Sequence, residues 1–106
     1  MSDPQTEFEE LTALLSQFAA KRDWGKFHTP KNLAMAVAGE VGELVAEFQW
    51  LTAEEADSAS LSAEQLEAIG LEIADVQIYL IRLSDVLGLN IPDLVRQKVV
   101  INEKRF

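Results

Sequence analysis

Glu40, Glu43 and Glu47 stand at i, i+3 and i+7 in the stretch Gly39-Glu40-Val41-Gly42-Glu43-Leu44-Val45-Ala46-Glu47-Phe48-Gln49-Trp50. On a helix of 3.6 residues per turn they share one stripe beside apolar positions. A second pair, Glu72 and Asp75, repeats the i, i+3 spacing inside the apolar segment Ile69 to Leu83. Two carboxylates about 5 Å apart repel by roughly 3 kcal/mol at an effective dielectric near 20, a large share of the ~5–15 kcal/mol that holds a domain together. If the two stretches meet, they call for a cation. Oxygen donors with no Cys and a single His favour a hard ion, Mg²⁺ first and Mn²⁺ or Ca²⁺ behind it. The same acids also suit a solvated helix face, since Glu is a good helix former, and spacing alone leaves both readings open.

At 106 residues and 48% apolar content the chain fits one domain, residues 1–106, of the usual size of roughly 100–150 residues. Its net charge is -9 and its pI is about 4.4. A polyanionic partner is normally met by a basic stripe, and none is present, which argues against nucleic-acid polymers and anionic membranes. A small anionic ligand is compatible when metal ions intervene. Without cysteine no disulfide framework or thiol chemistry arises. The stretch Met1 to Glu7 lacks the basic start and apolar run of a signal peptide, and no apolar run approaches the roughly 20 residues of a membrane span. The sequence therefore reads as soluble and cytoplasmic. Its apolar content is high for so short a chain, which points to cover by another subunit.

Four helices account for the pattern. Ser2 or Asp3 caps the first, with Pro4 in its first turn, and Phe8, Leu11, Leu14, Leu15 and Phe18 mark an apolar face to about Ala20. Lys21 and Arg22 follow at its negative end. The segment Asp23 to Pro30 breaks the pattern and carries Trp24, Phe27 and His28, which suits either a fold-back onto the core or a loop that stacks on a planar ligand. Thr29 caps a second helix from about Pro30 to Leu51, with Leu33, Ala36, Val37, Val41, Leu44 and Phe48 as its core face. Gly39 and Gly42 each cost roughly 1 kcal/mol relative to Ala inside a helix, and their missing side chains admit a neighbouring helix or a ligand's phosphates. Thr52 to Ala63 is a polar link with room for a turn of helix. Ser62 and Gln65 form a capping box for a third helix from about Ala63 to Leu87, where Leu66, Ile69, Ile73, Val76, Leu80 and Leu83 recur at helical spacing, and Gly88 ends it as a left-handed cap. Asn90 or Ile91 starts a fourth helix, with Pro92 in its first turn and Leu94, Val95, Val99 and Ile101 facing inward. With no strand candidate, the expected fold class is all-α, a four-helix bundle.

Glu40-Val41-Gly42-Glu43, followed after a 28-residue spacer by Glu72-Ile73-Ala74-Asp75, resembles the ExxE…ExxD signature of the MazG-like all-α nucleoside triphosphate pyrophosphohydrolases. The wider set Arg22-Asp23-Trp24, Phe27-His28, Asn32-Leu33, Gly39 to Leu44, Phe48-Gln49-Trp50, Ile78-Tyr79-Leu80 and Lys98…Ile101-Asn102 is similar to the dCTP pyrophosphatase branch. ExxE alone is a weak signal, whereas the ordered set spans the chain from about Gln17 to Phe106. The resemblance implies Mg²⁺-dependent hydrolysis of a (deoxy)nucleoside triphosphate, dCTP or a modified pyrimidine, to the monophosphate and pyrophosphate. It implies Glu40, Glu43, Glu72 and Asp75 as catalytic metal ligands. It points to Trp24, the loop through His28, Trp50 and Tyr79 for the base, and to Lys98, Asn102 and Arg105 for phosphate or sugar. It also implies a homotetramer, a dimer of dimers with sites formed between subunits.

Two positions depart from the wider pattern. Many relatives carry a further Glu immediately before the first motif acid, where this chain has Gly39, as the dCTP branch does; if that carboxylate serves as a base elsewhere, another group must serve here, and Glu47 is the candidate. Leu15 stands where some animal relatives are expected to carry a polar base-contacting residue, which removes that contact from the case for cytosine selectivity. Beside the pyrophosphatase reading stand a dUTP or general nucleoside triphosphate pyrophosphohydrolase and, from another class, a non-catalytic nucleotide-sensing or helical oligomerisation module. A di-iron carboxylate bundle usually needs Glu-x-x-His pairs, and the one histidine lies in a loop.

Overall fold

The computed structural model describes residues 4–106, which form four α-helices and, among the described residues, no strand: α1 (Pro4–Lys21), α2 (Pro30–Ala46), α3 (Ala63–Val86) and α4 (Ile91–Arg105). The all-α expectation is met. The expected capping of α1 by Ser2 or Asp3 lies outside the described residues. No described helix is long and apolar enough to cross a membrane.

Local chemistry sets most of the boundaries. The Thr29 hydroxyl accepts from the Asn32 backbone N–H at 3.2 Å, with Pro30 opening α2. At α3 the capping box is complete: the Ser62 hydroxyl accepts from the Gln65 N–H (3.1 Å) and the Gln65 side chain accepts from the Ser62 N–H (2.8 Å). Asn90 caps α4 by accepting from the Asp93 N–H at 3.0 Å. Each of these oxygens satisfies a donor that the helix itself leaves free.

The C-terminal ends of α1 and α3 use one device. After α3, Gly88 adopts φ +70°, and the N–H groups of Leu89 and Gly88 donate back to the carbonyls of Ser84 (2.8 Å) and Asp85 (3.1 Å). After α1, Asp23 takes the same left-handed role at φ 55°, and Trp24 and Asp23 donate to Ala19 (3.0 Å) and Ala20 (3.1 Å). This double bond closes a helix by turning the chain back over its last turn. At α1 the consequence is directional: Trp24 is carried against Phe18, edge to face at 5.5 Å.

α2 differs from expectation. It ends at Ala46, not Leu51, because Glu47, Phe48 and Leu51 donate three residues back, to Leu44, Val45 and Phe48, and the chain tightens into successive turns. The link that follows is itself a hydrogen-bonded turn, with Thr52 and Glu55 capping one another reciprocally at 2.8 and 3.1 Å.

The core is small. α2 packs along α3, and α1 touches α3 more lightly, around Ala19, Leu33, Ile69 and Ile81 as the buried apolar side chains among the described residues. The expectation that Leu94, Val95, Val99 and Ile101 face inward is corrected: α4 buries no side chain, and all four are exposed. Among the described residues, nothing covers them. The radius of gyration, 16.3 Å, exceeds the about 13 Å expected for a compact chain of this length. The accessible surface of 7888 Å² exceeds the about 5,900 Å² of a folded monomer of this mass.

Gly88→Ala is expected to lower stability by about 1–2 kcal/mol, the cost of the left-handed conformation for a residue with a Cβ, with helical circular dichroism unchanged. Urea denaturation at fixed protein concentration measures it, and an unaltered midpoint would show that the cap does not require glycine.

Candidate metal centre and adjoining cavity

Packing of α2 on α3 brings the two acidic stretches together. Glu40 lies within α2, and Glu72 and Asp75 lie one turn apart on α3. Each offers a carboxylate oxygen, and the three oxygens lie within 4.8 Å of one another. Glu72 Oε2 is buried and has no hydrogen-bond partner. Burial raises the Glu72 pKa above its ordinary value, and the charges of Asp75, Glu43, Glu40 and Glu47 raise it further. A desolvated carboxylate oxygen, unpaired and facing like charge, fits a cation ligand. These three residues can hold a divalent metal ion.

Of the four expected ligands, Glu43 stands outside that set of three, although its charge reaches Glu72. Glu47 is half-buried and acts on Glu72 in the same way. Among the described residues, the ion pairs Lys26–Asp23, Arg82–Asp85 and Arg96–Asp93 are all local. None engages the acid cluster.

A cavity of about 240 Å³ opens beside the acids and shares two of them: Glu40 and Asp75 line it together with Leu15, Phe18, Trp24, His28, Tyr79 and Arg82. Trp24 is one wall, held against Phe18 by the turn at Asp23; the Arg22 guanidinium covers the Phe18 ring at 3.5 Å. Trp24 therefore packs edge to face on Phe18 of α1 while also lining the cavity. A larger groove of about 540 Å³ runs between α1, the end of α3 and the start of α4. It contains none of the acids in the cation set, and chemistry rather than volume identifies the smaller cavity as the site.

His28 neither caps α2, which Thr29 does, nor carries positive charge for a phosphate. Its Nδ1 accepts from Arg82 Nε at 3.3 Å, and burial followed by the Arg82 charge lowers its pKa from 6.5. It is neutral at neutral pH. Trp50, 86% exposed in the turns after α2, and Lys98, Asn102 and Arg105 on α4 do not line the cavity. A Cβ on Gly39 or Gly42 would meet nothing within 4 Å, so no helix of this chain makes the close approach that glycine permits there.

Arg82 is the residue that the sequence reading missed. It is 8% exposed, and one of its Nη1 protons is donated to Asp85 Oδ2 at 3.2 Å. A signal was present: Glu72, Asp75, Tyr79 and Arg82 follow one another at intervals of three, four and three, which places them on one face of a helix.

The MazG-like family model matches residues 36–106, a span that includes Glu40, Glu72 and Asp75. The chain belongs to the MazG-like family. It is 40% identical over 103 residues to dCTP pyrophosphatase 1 of Homo sapiens, covering 97% of this chain and 61% of that protein. To dCTP pyrophosphatase 1 of Mus musculus it is 37% identical over 103 residues, with the same coverage of 97% and 61%. This MazG-like chain thus spans about 61% of the length of those relatives. Its fold is shared with a pyrophosphatase from Archaeoglobus fulgidus DSM 4304 at 39% identity and a TM-score of 0.86, covering 94% of this chain and 92% of that one.

The strained carboxylate has a measurable sign. Because the folded state holds the Glu72 proton more tightly than the unfolded state does, the metal-free protein gains stability as pH falls from above the raised pKa towards 4.5, the ordinary value. Glu72→Gln is expected to remove that slope, to raise the melting temperature in chelator at neutral pH, and to abolish the stabilisation that wild type gains from Mn²⁺. Thermal melts across pH, with chelator and with Mn²⁺, test all three.

Proposed function

We propose that this chain is a Mg²⁺-dependent nucleoside triphosphate pyrophosphohydrolase that acts on dCTP or a modified pyrimidine deoxynucleotide, breaking the anhydride between the α and β phosphorus atoms to release the monophosphate and pyrophosphate. One observation carries the reading: the acids that can hold a cation and the aromatic cavity are one continuous site, joined through Glu40 and Asp75. The likeness to dCTP pyrophosphatase 1 supports the substrate class.

Glu40, Glu72 and Asp75 would hold the ion, with Glu43, whose charge reaches Glu72, as the fourth acid of the set. The all-oxygen donor set favours Mg²⁺, with Mn²⁺ as a substitute. A divalent ion held there would supply charge neutralisation for the polyphosphate and a lowered pKa for a bound water. Trp24 and Tyr79 flank the base, whose planar faces suit aromatic walls. Glu47, whose charge reaches Glu72, is the candidate to accept a proton, since no carboxylate precedes Glu40.

Trp50, Lys98, Asn102 and Arg105 complete the site from neighbouring copies in a homotetramer, a dimer of dimers. Two facts support this assembly. Surface in excess of a compact monomer amounts to about 2,000 Å² per chain, which falls in the range of obligate interfaces. The apolar residues of α4, and Trp50 with them, are exposed in the single chain.

With Mg²⁺ and a panel of nucleotides, the purified protein is expected to release pyrophosphate, fastest from dCTP. Glu43→Gln and Asp75→Asn are expected to abolish turnover while leaving helicity intact. Release of orthophosphate in place of pyrophosphate overturns the proposed reaction. Light scattering is expected to give about four times the 11.8 kDa chain mass, and a monomeric mass removes the shared site.

A further inference from the structure

The Arg82 end of the cavity carries a charge that the metal chemistry does not use. Arg82 is 8% exposed and lies seven residues beyond Asp75, about 10 Å along the same face of α3. A guanidinium is costly to bury without partners. Here it has two, and both fix its plane: Nε donates to His28 Nδ1 at 3.3 Å, and Nη1 donates to Asp85 Oδ2 at 3.2 Å. Those bonds occupy two of its five N–H groups, and Arg82 lines the cavity with donors to spare.

The partner it chooses matters as much. A histidine whose Nδ1 accepts from arginine carries its proton on Nε2, and both burial and the Arg82 charge keep His28 from taking a second proton. His28 therefore adds one more donor to this end of the cavity. Leu15, Phe18, Ala19 and Ile78 supply the apolar surface around it. The lining is polarised along α3, with the carboxylate of Asp75 two turns before the N–H donors of Arg82.

We infer that Arg82 is the specificity-determining residue of this cavity, its fork held by His28 and Asp85 so that the site selects a base presenting two adjacent acceptors. This rests on the pyrophosphohydrolase reading above. Among pyrimidines, cytosine has that edge, in O2 and unprotonated N3. Uracil and thymine carry N3–H, which would set donor against donor at the buried Arg82. Sites built on hydrogen bonds to a base edge reject the mispaired analogue more strongly than apolar pockets do. The donors on α3 thus supply a polar reading of the base that Leu15 on α1 cannot.

The test compares binding of dCMP and dUMP to the full chain by calorimetry, independently of turnover. Wild type is expected to prefer dCMP by roughly 10- to 100-fold, the range for hydrogen bonds to a charged group, and Arg82→Met to bring the ratio to about one. Arg82→Lys keeps the charge but not the fork; it is expected to stay folded and to lose the discrimination, which keeps the test decisive if the Met variant does not fold. Because the chain has one histidine, its ¹⁵N spectrum reports the tautomer without ambiguity: Nε2–H in wild type, a mixture in Arg82→Met. An unchanged dCMP to dUMP ratio in both variants, or equal loss of the two nucleotides with the His28 tautomer unaltered, overturns the inference and leaves the pyrophosphohydrolase reading standing. Failure of wild type to bind either nucleotide or to release pyrophosphate overturns both.

Discussion

Mutual repulsion among Glu40, Glu72 and Asp75 is the constraint from which the rest follows, because the packing that creates it also prevents its relief. α2 and α3 are anchored by buried apolar residues, Leu33 on one and Ile69 and Ile81 on the other, so the backbones that carry the acids cannot separate without opening the small core. An exposed carboxylate would turn to water. Glu72 Oε2 does not reach it, and its proton affinity rises accordingly. A site of this kind is at its least stable when empty, which gives the energetic reason for ion binding.

The chain's own cations could have quenched that charge. Lys26, Arg82 and Arg96 are instead held in pairs with acids three residues away. Arg82 is the informative case, since it shares the cavity with Glu40 and Asp75. Two turns along α3 separate it from Asp75, and Asp85 and His28 hold it in place. Had it been one turn closer, it would have occupied the place of the ion. On the base reading inferred above, keeping the two charges apart along α3 would let a ligand with a polyanionic tail and an acceptor-rich head enter in one orientation.

Much of this was legible in the sequence where the cause is local. The caps at Thr29, Ser62, Asn90 and Gly88 depend on a side chain or a missing Cβ within three residues, and each lies where the sequence predicts it. Periodicity likewise placed both acid stretches on helices. The convergence of those stretches is a tertiary fact that spacing could only suggest. The early end of α2 was not visible, since the run through Phe48 and Leu51 has the same apolar rhythm in successive turns as in a helix. Arg82 was hidden for a different reason: a lone cation within an apolar segment reads as a snorkelling surface residue until the partner His28, 54 positions away, is known.

The misplaced expectation about α4 has the most consequence. Its stripe of Leu94, Val95, Val99 and Ile101 recurs at helical spacing, but all four side chains are exposed in the single chain. What spacing could not say was whose core would bury them. On the proposed assembly the answer is another copy of the chain, and Trp50, Lys98, Asn102 and Arg105 then belong to sites completed across subunits. Association would cover the apolar face of α4 and bring the phosphate-directed cations to the acid cluster in a single event. The assembly that completes the core would then also complete the site. Stability and activity would consequently fall together on dilution, because both depend on protomer concentration.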